Sequence, residues 1–347
     1  MKIAAPAKIN LALHVTGQRP DGYHLIESLV DFADVGDVVS IEAAEIDSLR
    51  FSGPFGPALS GETGGNLVTK ARDALRASTT NHCPPVAIHL EKNLPLSSGI
   101  GGGSADAAAT LKGLNDLWQL GLTLEQLCTI GLTLGADLPM CLHGRPLIAK
   151  GIGEIIESVD LPPFHMLLVN PGVSVSTPAI FKALAKKENG SLPPIPYLSG
   201  VQFFPDFSLA NPSKVVIPGS RSETRNPEVR NEDIGRDGLF HPPAAASHQF
   251  PISGFRASLR DPGMTTAGES VVEFSEYLHS TRNDLQPPAL ILQPVIADVI
   301  AALETSGAQF ARMSGSGATC FGVFVDSDAR FRAKSEIAAI HSDWWIS

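Results

Sequence analysis

Between a strand-like stretch at Val86, Ile88 and Leu90 and a helix-like stretch carrying Ala107, Ala108, Leu111, Leu114 and Leu117, the chain runs through Pro95-Leu96-Ser97-Ser98-Gly99-Ile100-Gly101-Gly102-Gly103-Ser104-Ala105. Four of the five residues from Gly99 to Gly103 are glycine. A strand that enters a helix through so much glycine lets a ligand approach the backbone closely, and it aims the unpaired N–H groups of the helix start at an anion. The run therefore predicts a strand, a phosphate cradle and a helix in that order. It is not a Walker A loop, because no Gly-Lys-Ser/Thr closes it, and Ser104 stands where the dinucleotide fingerprint has its last glycine.

A second glycine loop, Met313-Ser314-Gly315-Ser316-Gly317-Ala318, precedes a predicted strand at Thr319 to Val325. Alone it is also compatible with an ordinary turn. Two such loops in different halves suggest a ligand held between the halves. The first half opens with a strand from Lys2 to Val15 containing Lys8 and Asn10, a turn at Arg19-Pro20-Asp21-Gly22, and two further extended stretches, Leu25 to Val30 and Val38 to Glu42. Thr123 and Gln126 predict a capping box for a helix that stops near Gly135, with Asp137 just beyond its end. After Leu161-Pro162-Pro163 a strand starts at His165, which puts a domain boundary near residue 160, between a unit at 1–160 and one at 161–347. Helices follow around Pro178 to Lys186, Pro294 to Glu304 and Ala329 to Ile340. From about Asn189 to Gly268 the rhythm breaks into a Pro-, Ser- and Gly-rich stretch with a mixed-charge middle, read as an inserted, partly disordered surface segment whose patch Val201 to Phe204 docks on the body.

Phosphoryl transfer needs a phosphate cradle, a cation near the moving group and a carboxylate near the attacking hydroxyl. Lys8 and Asp137 fit the last two roles. Lys8 interrupts an apolar strand, where an unpaired ammonium is costly to bury and a carboxylate partner is implied. Each is equally compatible with an exposed charge at an element end, and the sequence does not bring them together. Tyr23, His24 and Phe181 are compatible with stacking on a base or with plain packing.

Several classes are disfavoured. At 347 residues, 43% of them hydrophobic and 18% charged, the chain has room for about two folded domains. A formal net charge of −10 opposes a general affinity for nucleic acid or anionic membrane. Cys83, Cys128, Cys141 and Cys320 lack zinc spacing or disulfide density and read as buried thiols. Neither a signal-peptide core at Met1 to Pro6 nor a long apolar run is present, so a soluble cytoplasmic protein is expected.

Taken in order, Pro6-Ala7-Lys8-Ile9-Asn10-Leu11, the Gly99 to Ala108 loop and Ser314-Gly315-Ser316-Gly317-Ala318 resemble the GHMP kinase superfamily, named for galactokinase, homoserine kinase, mevalonate kinase and phosphomevalonate kinase. Asp21-Gly22-Tyr23-His24, Gly135-Ala136-Asp137, Thr177-Pro178-Ala179-Ile180-Phe181 and Arg282-Asn283-Asp284-Leu285 resemble the branch that phosphorylates a cytidine-diphosphate-linked methylerythritol in the non-mevalonate route to isoprenoid precursors. The resemblance implies an α+β fold of two domains, the first like domain 2 of ribosomal protein S5 and binding ATP, the second ferredoxin-like, with the site in the cleft. It implies Asp137 as the base for the 2-hydroxyl, Lys8 as its orienting cation, and Asn10 as a substrate contact. It implies Pro95 to Ala105 around the ATP phosphates, Tyr23 and Phe181 on either face of the cytosine, and His24 and Thr177 helping to fix the nucleotide. Mg²⁺ is implied with ATP, with Ser104 a candidate ligand and no other named. A kinase of the same superfamily acting on mevalonate, homoserine or a sugar is the alternative, and it would leave Tyr23, His24 and Phe181 without a shared purpose. The oligomeric state is left open. The long segment after Asn189 departs from the family's usual connection, and Ile100 stands where Leu is more usual, a near-isosteric exchange.

Overall fold

The computed structural model describes residues 1–59, 61, 65–195 and 267–347. The mixed-charge stretch and the patch Val201 to Phe204 lie outside the described residues.

The first sheet is built on a long hairpin. Strands β1 (Lys2–Gln18) and β2 (His24–Ala43) pair antiparallel around the expected turn, where Gly22 takes φ +94° and its N–H donates to Arg19 O at 2.9 Å. The two extended stretches predicted after the turn are one strand of 20 residues. Asp31, Asp34, Gly36 and Asp37 interrupt the apolar pattern between them, but the backbone continues; Gly36 passes so close to β1 that a Cβ would come within 2.7 Å of Pro6 Cα. β3 (Ser48–Ser52) lies parallel to β4 (Val86–Glu91), which pairs with the Val38–Ala43 end of β2; β5 (Leu147–Gly151) pairs with Ile26–Val30, and β6 (Ile155–Ser158) with β5. Helices α1 (Leu67–Ala77), α2 (Gly102–Leu117), α3 (Leu124–Leu132) and α4 (Leu138–His143) share one apolar core with this sheet. The predicted capping box at Thr123 and Gln126 is present. Helix α2 presses hard on the sheet, since a Cβ at Gly113 would meet Ile3 Cδ1 at 2.7 Å and Ile41 Cδ1 at 2.8 Å.

The second sheet has the order β10–β7–β9–β8 and is antiparallel throughout, with β7 at His165–Asn170, β8 at Phe310–Met313, β9 at Cys320–Phe324 and β10 at Trp345–Ile346. Around it lie α5 (Thr177–Lys182), α6 (Ala267–His279), α7 (Gln286–Leu292), α8 (Val295–Thr305) and α9 (Ser327–Ile340). The predicted excursion begins later than Asn189. Asn189 donates from its backbone N–H to Val15 O at 3.0 Å, Leu192 N–H donates to Glu27 Oε2 at 2.9 Å, and Ile195 is buried. At its other end, Ala267 and Gly268 open α6.

Strand β1 belongs to both halves. Its odd-numbered Ala7, Ile9 and Leu11 pack in one core with Leu168, Phe310, Phe321 and Val323 of the second sheet and with Phe274 of α6. Each fully buried Ile, Leu or Phe there stabilises the junction by about 1.5–3 kcal/mol. Alternation along the strand leaves Lys8 and Asn10 on its other face, and register shifts flank the pair, between Pro6 and Lys8 and between Asn10 and Ala12. Such irregularities re-aim side chains and are common beside sites. Arg312 of β8 fastens the junction: its guanidinium donates to Leu11 O at 3.1 Å, Leu278 O at 3.0 Å, Thr281 O at 2.8 Å and Thr281 Oγ1 at 2.7 Å. Burial pulls it down to about 10 from its usual range.

Candidate active site

Lys8 and Asp137, 129 residues apart, meet with Nζ 3.0 Å from Oδ2. The Lys8 side chain is 5% exposed and that of Asp137 is 40% exposed, so the cation is held inside while the carboxylate looks out. Asp137 lies just beyond the end of α3, as expected, and is also the N-cap of α4, yet its side chain makes no capping bond. A residue type that ordinarily satisfies the first turn of a helix is thereby free to face Lys8. The short α4 went unread in the sequence because Pro139 falls in its first turn and it has only six residues.

The first glycine loop lies against this pair. Lys8 N–H donates to Ile100 O at 2.9 Å. Gly101 is the N-cap of α2 at φ +64°, and a Cβ there would come within 3.2 Å of Lys8 Cβ and Cε. The helix begins at Gly102, so the N–H groups of Gly102, Gly103 and Ser104 face outward with no preceding turn to receive them. Pro95, Ser98, Ile100 and Ala105 are buried, Leu96 and Ser104 are half-buried, and Ser97 and Gly103 are exposed, with Ser97 at φ +50°. Ser98 Oγ–H closes the turn by donating to Pro95 O at 2.6 Å.

The second glycine loop packs on the first, backbone against backbone. A Cβ at Gly99 would lie 2.6 Å from both N and O of Gly317, and Thr319 N–H donates to Ser98 O at 3.1 Å. Ser314 Oγ accepts from Asn10 N–H at 3.0 Å, while Asn10 Nδ2 donates to Ser28 Oγ at 2.7 Å. Asn10 Oδ1 is buried without a partner.

Of the residues expected around the cytosine, two are in ring contact with each other. His24, not Tyr23, stacks on Phe181, with ring centroids 4.7 Å apart and planes 24° from parallel. Tyr23 stands beside them 60% exposed. Burial, with Lys187 adding to it, lowers the His24 imidazole below its usual range, so the ring is neutral at pH 7; its Nε2 is buried with no partner. Thr177 Oγ1 and Ser316 Oγ share a hydrogen bond at 2.8 Å, linking the start of α5 to the second glycine loop.

Sequence reasoning missed a charged cluster under the cradle. Buried Lys92 donates to Asp106 Oδ2 at 2.7 Å and to Asp37 Oδ2. Asp37 Oδ1 also accepts the N–H groups of Asn93 at 2.6 Å and Leu94 at 2.9 Å, which lead into the loop. Burial, and then the charge of Asp37, push the Asp106 carboxyl well above the usual carboxylate range against the pull of Lys92. Burial works against the Lys92 ammonium, but Asp106 and Asp37 outweigh it and hold the group above its usual value. Three charges in apolar surroundings were visible as residues, but no local spacing links positions from β2, the end of β4 and α2.

Comparison with known proteins gives the family of the chain. Residues 66–145 match the GHMP kinases N terminal domain and residues 258–342 the GHMP kinases C terminal family. The chain is 45% identical over 346 residues to 4-diphosphocytidyl-2-C-methyl-D-erythritol kinase of Brucella melitensis biotype 1, covering 98% of this chain and 92% of that one. It is 45% identical over 353 residues to the enzyme of the same name from Sinorhizobium medicae, covering 100% and 93%. Among solved structures, a 4-(cytidine 5'-diphospho)-2C-methyl-D-erythritol kinase superposes with a TM-score of 0.65 at 25% identity, covering 100% of this chain and 98% of the other. Homoserine kinase from Cytophaga hutchinsonii, at 15% identity and a TM-score of 0.57, shares the fold.

Proposed function

We infer, for a chain that belongs to the GHMP kinases and among them to the 4-diphosphocytidyl-2-C-methyl-D-erythritol kinases, that Lys8 and Asp137 carry the transfer of the ATP γ-phosphate to the 2-hydroxyl of the cytidine-diphosphate-linked substrate. The activity, ATP-dependent phosphorylation in the methylerythritol phosphate pathway, comes with the family. The observation that carries the residue roles is the 3.0 Å Lys8–Asp137 pair set beside the outward N–H groups of Gly102 to Ser104.

In this reading the half-exposed Asp137 carboxylate accepts the hydroxyl proton as the oxygen attacks. Lys8 fixes its orientation and offsets charge on the moving phosphoryl group. Residues Pro95 to Ala105 bind the ATP phosphates and Asn10 contacts substrate beside Lys8. Phe181, His24 and Tyr23 take the cytosine, with Thr177 at the rim. Mg²⁺ enters on ATP. Ser104, in the first turn of α2, is the candidate hydroxyl for it. We assign residues 1–160 to the ATP-binding half and 161–347 to the second, on the ground that the chain leaves the first sheet at Ser158 and enters the second at His165. Among the described residues no single helix is long and apolar enough to cross a membrane; we place the enzyme in the cytoplasm, where its nucleotide substrates are.

Purified protein with ATP, Mg²⁺ and the cytidine-diphosphate-linked methylerythritol should release ADP, and should not do so with mevalonate or homoserine. The opposite pattern would keep the kinase and remove the cytosine site. Phe181→Ala should raise KM for this substrate about three- to tenfold with kcat little changed, the effect of losing one aromatic pair used equally before and during the reaction. Thermal protection by CDP should weaken in the same variant. Unchanged KM and protection would place the cytosine elsewhere.

A further inference from the structure

The segment Arg282-Asn283-Asp284 takes no part in the roles above, yet it touches both halves of the cleft. It is bonded to β1 on either side of Asn283: Leu13 N–H donates to Arg282 O at 2.9 Å, and Asp284 N–H donates to Leu13 O at 2.8 Å. The Asp284 carboxylate accepts from Val15 N–H at 2.7 Å. From this anchored base the buried Asn283 amide donates to Met313 O and to Gly315 O, both at 2.8 Å, and its Oδ1 accepts from Leu285 N–H at 3.0 Å. Ser314 lies between the two clamped carbonyls, and its hydroxyl returns to Asn10 N–H. The bonds close a ring: β1 at Leu13, Asn283, the second glycine loop, Ser314, and β1 again at Asn10.

We propose, resting on the kinase reading above, that Asn283 is a positioning residue, which holds the loop Ser314–Ala318 in fixed register with the strand carrying Lys8 and Asn10. The loop meets the phosphate cradle at Gly99 and the substrate side at Thr177. Its register therefore decides whether acceptor and ATP meet at one geometry, and small misplacements there are costly to rate.

Asn283→Asp keeps the shape but turns both donors into lone pairs against two carbonyl oxygens. Ionised, it repels the loop; protonated, it restores one of the two bonds. Its surroundings favour the protonated form, so the ratio of variant to parent kcat/KM should rise about tenfold as pH falls from about 8.5 to about 6. Of the charged and titratable groups around the position, Arg282 and Arg312 favour the ionised carboxyl, Asp284 and neutral His14 do not, and burial against the two carbonyl oxygens outweighs the cations. Asn283→Ala should lose about tenfold in kcat at all pH values with KM for ATP within about threefold. Ser314→Ala opens the same ring elsewhere, and the double variant with Asn283→Ala should be no worse than the poorer single. A kcat for Asn283→Ala within about twofold of the parent, an Asn283→Asp ratio flat with pH, or strictly multiplicative losses would each overturn the proposal. Should Asn283→Asp not fold, full activity in Ser314→Ala would overturn it alone, and a loss there would support it. All rates are ratios to the parent on whichever hydroxyl acceptor the parent phosphorylates, so a parent inactive on the cytidine-linked substrate bears on the substrate reading and not on Asn283.

Discussion

Asp137→Asn should lower kcat by about 10²–10⁴-fold, the usual worth of a positioned general base, while melting within a few degrees of the parent. The substitution keeps the volume and leaves an oxygen for Lys8 Nζ, now 3.0 Å from Oδ2. What it removes is the capacity to take a proton. The Asp137 side chain is 40% exposed, so water screens the pair, but Lys8 at 5% exposed loses its counter-charge; the variant should stay folded with a slightly lower melt and KM for both substrates nearly unchanged. ADP release under saturating substrates, with a thermal melt alongside, separates the two effects. A variant within about fivefold of the parent would mean that another group, or water, takes the proton.

The largest stability effect is expected at Lys92→Met, about 3–5 kcal/mol in equilibrium urea unfolding. Lys92 is the cation between Asp37 and Asp106, and all three are buried. Removing it leaves two carboxylates in apolar surroundings with only each other and the loop N–H groups. Asp106, already raised by burial, would then titrate higher still in the folded variant, further above the unfolded value of about 3.9. Between that value and the raised one the folded state binds more protons than the unfolded state, so the deficit against the parent should shrink as pH falls across the window. A loss below about 1 kcal/mol, or one indifferent to pH, would show that the cluster is dispensable to the fold.

The parts that were legible in the sequence are those whose signal is local. Gly99 to Gly103, the capping box at Thr123 and the strands at Val86 and His165 each announce themselves within a few residues. Lys8 and Asp137 were readable one at a time, as charges in apolar company, and only the fold joins them across 129 positions. The continuity of β2 between its two predicted stretches was obscured by Asp31, Asp34 and Asp37, of which Asp37 turns out to face a buried lysine instead of a turn. Tyr23 and His24 are adjacent, the first closing the turn and the second opening β2; which of them meets Phe181 depends on a pairing with α5 that no spacing encodes. Asn283 gave no chemical signal because its partners are carbonyl groups, which every residue has.

The meeting of the two glycine loops bears on how such enzymes can diverge. Their contact is made almost wholly by main chain, with Gly99 against Gly317 and Gly315 against Gly99 O, and by one side chain, the Ser314 hydroxyl at 3.4 Å from Gly99 O. A seam of this kind records almost nothing about the side chains of either half. Each half is therefore free to drift in its own surface and specificity, and halves from different lineages remain interchangeable there as long as neither inherits a Cβ at the seam.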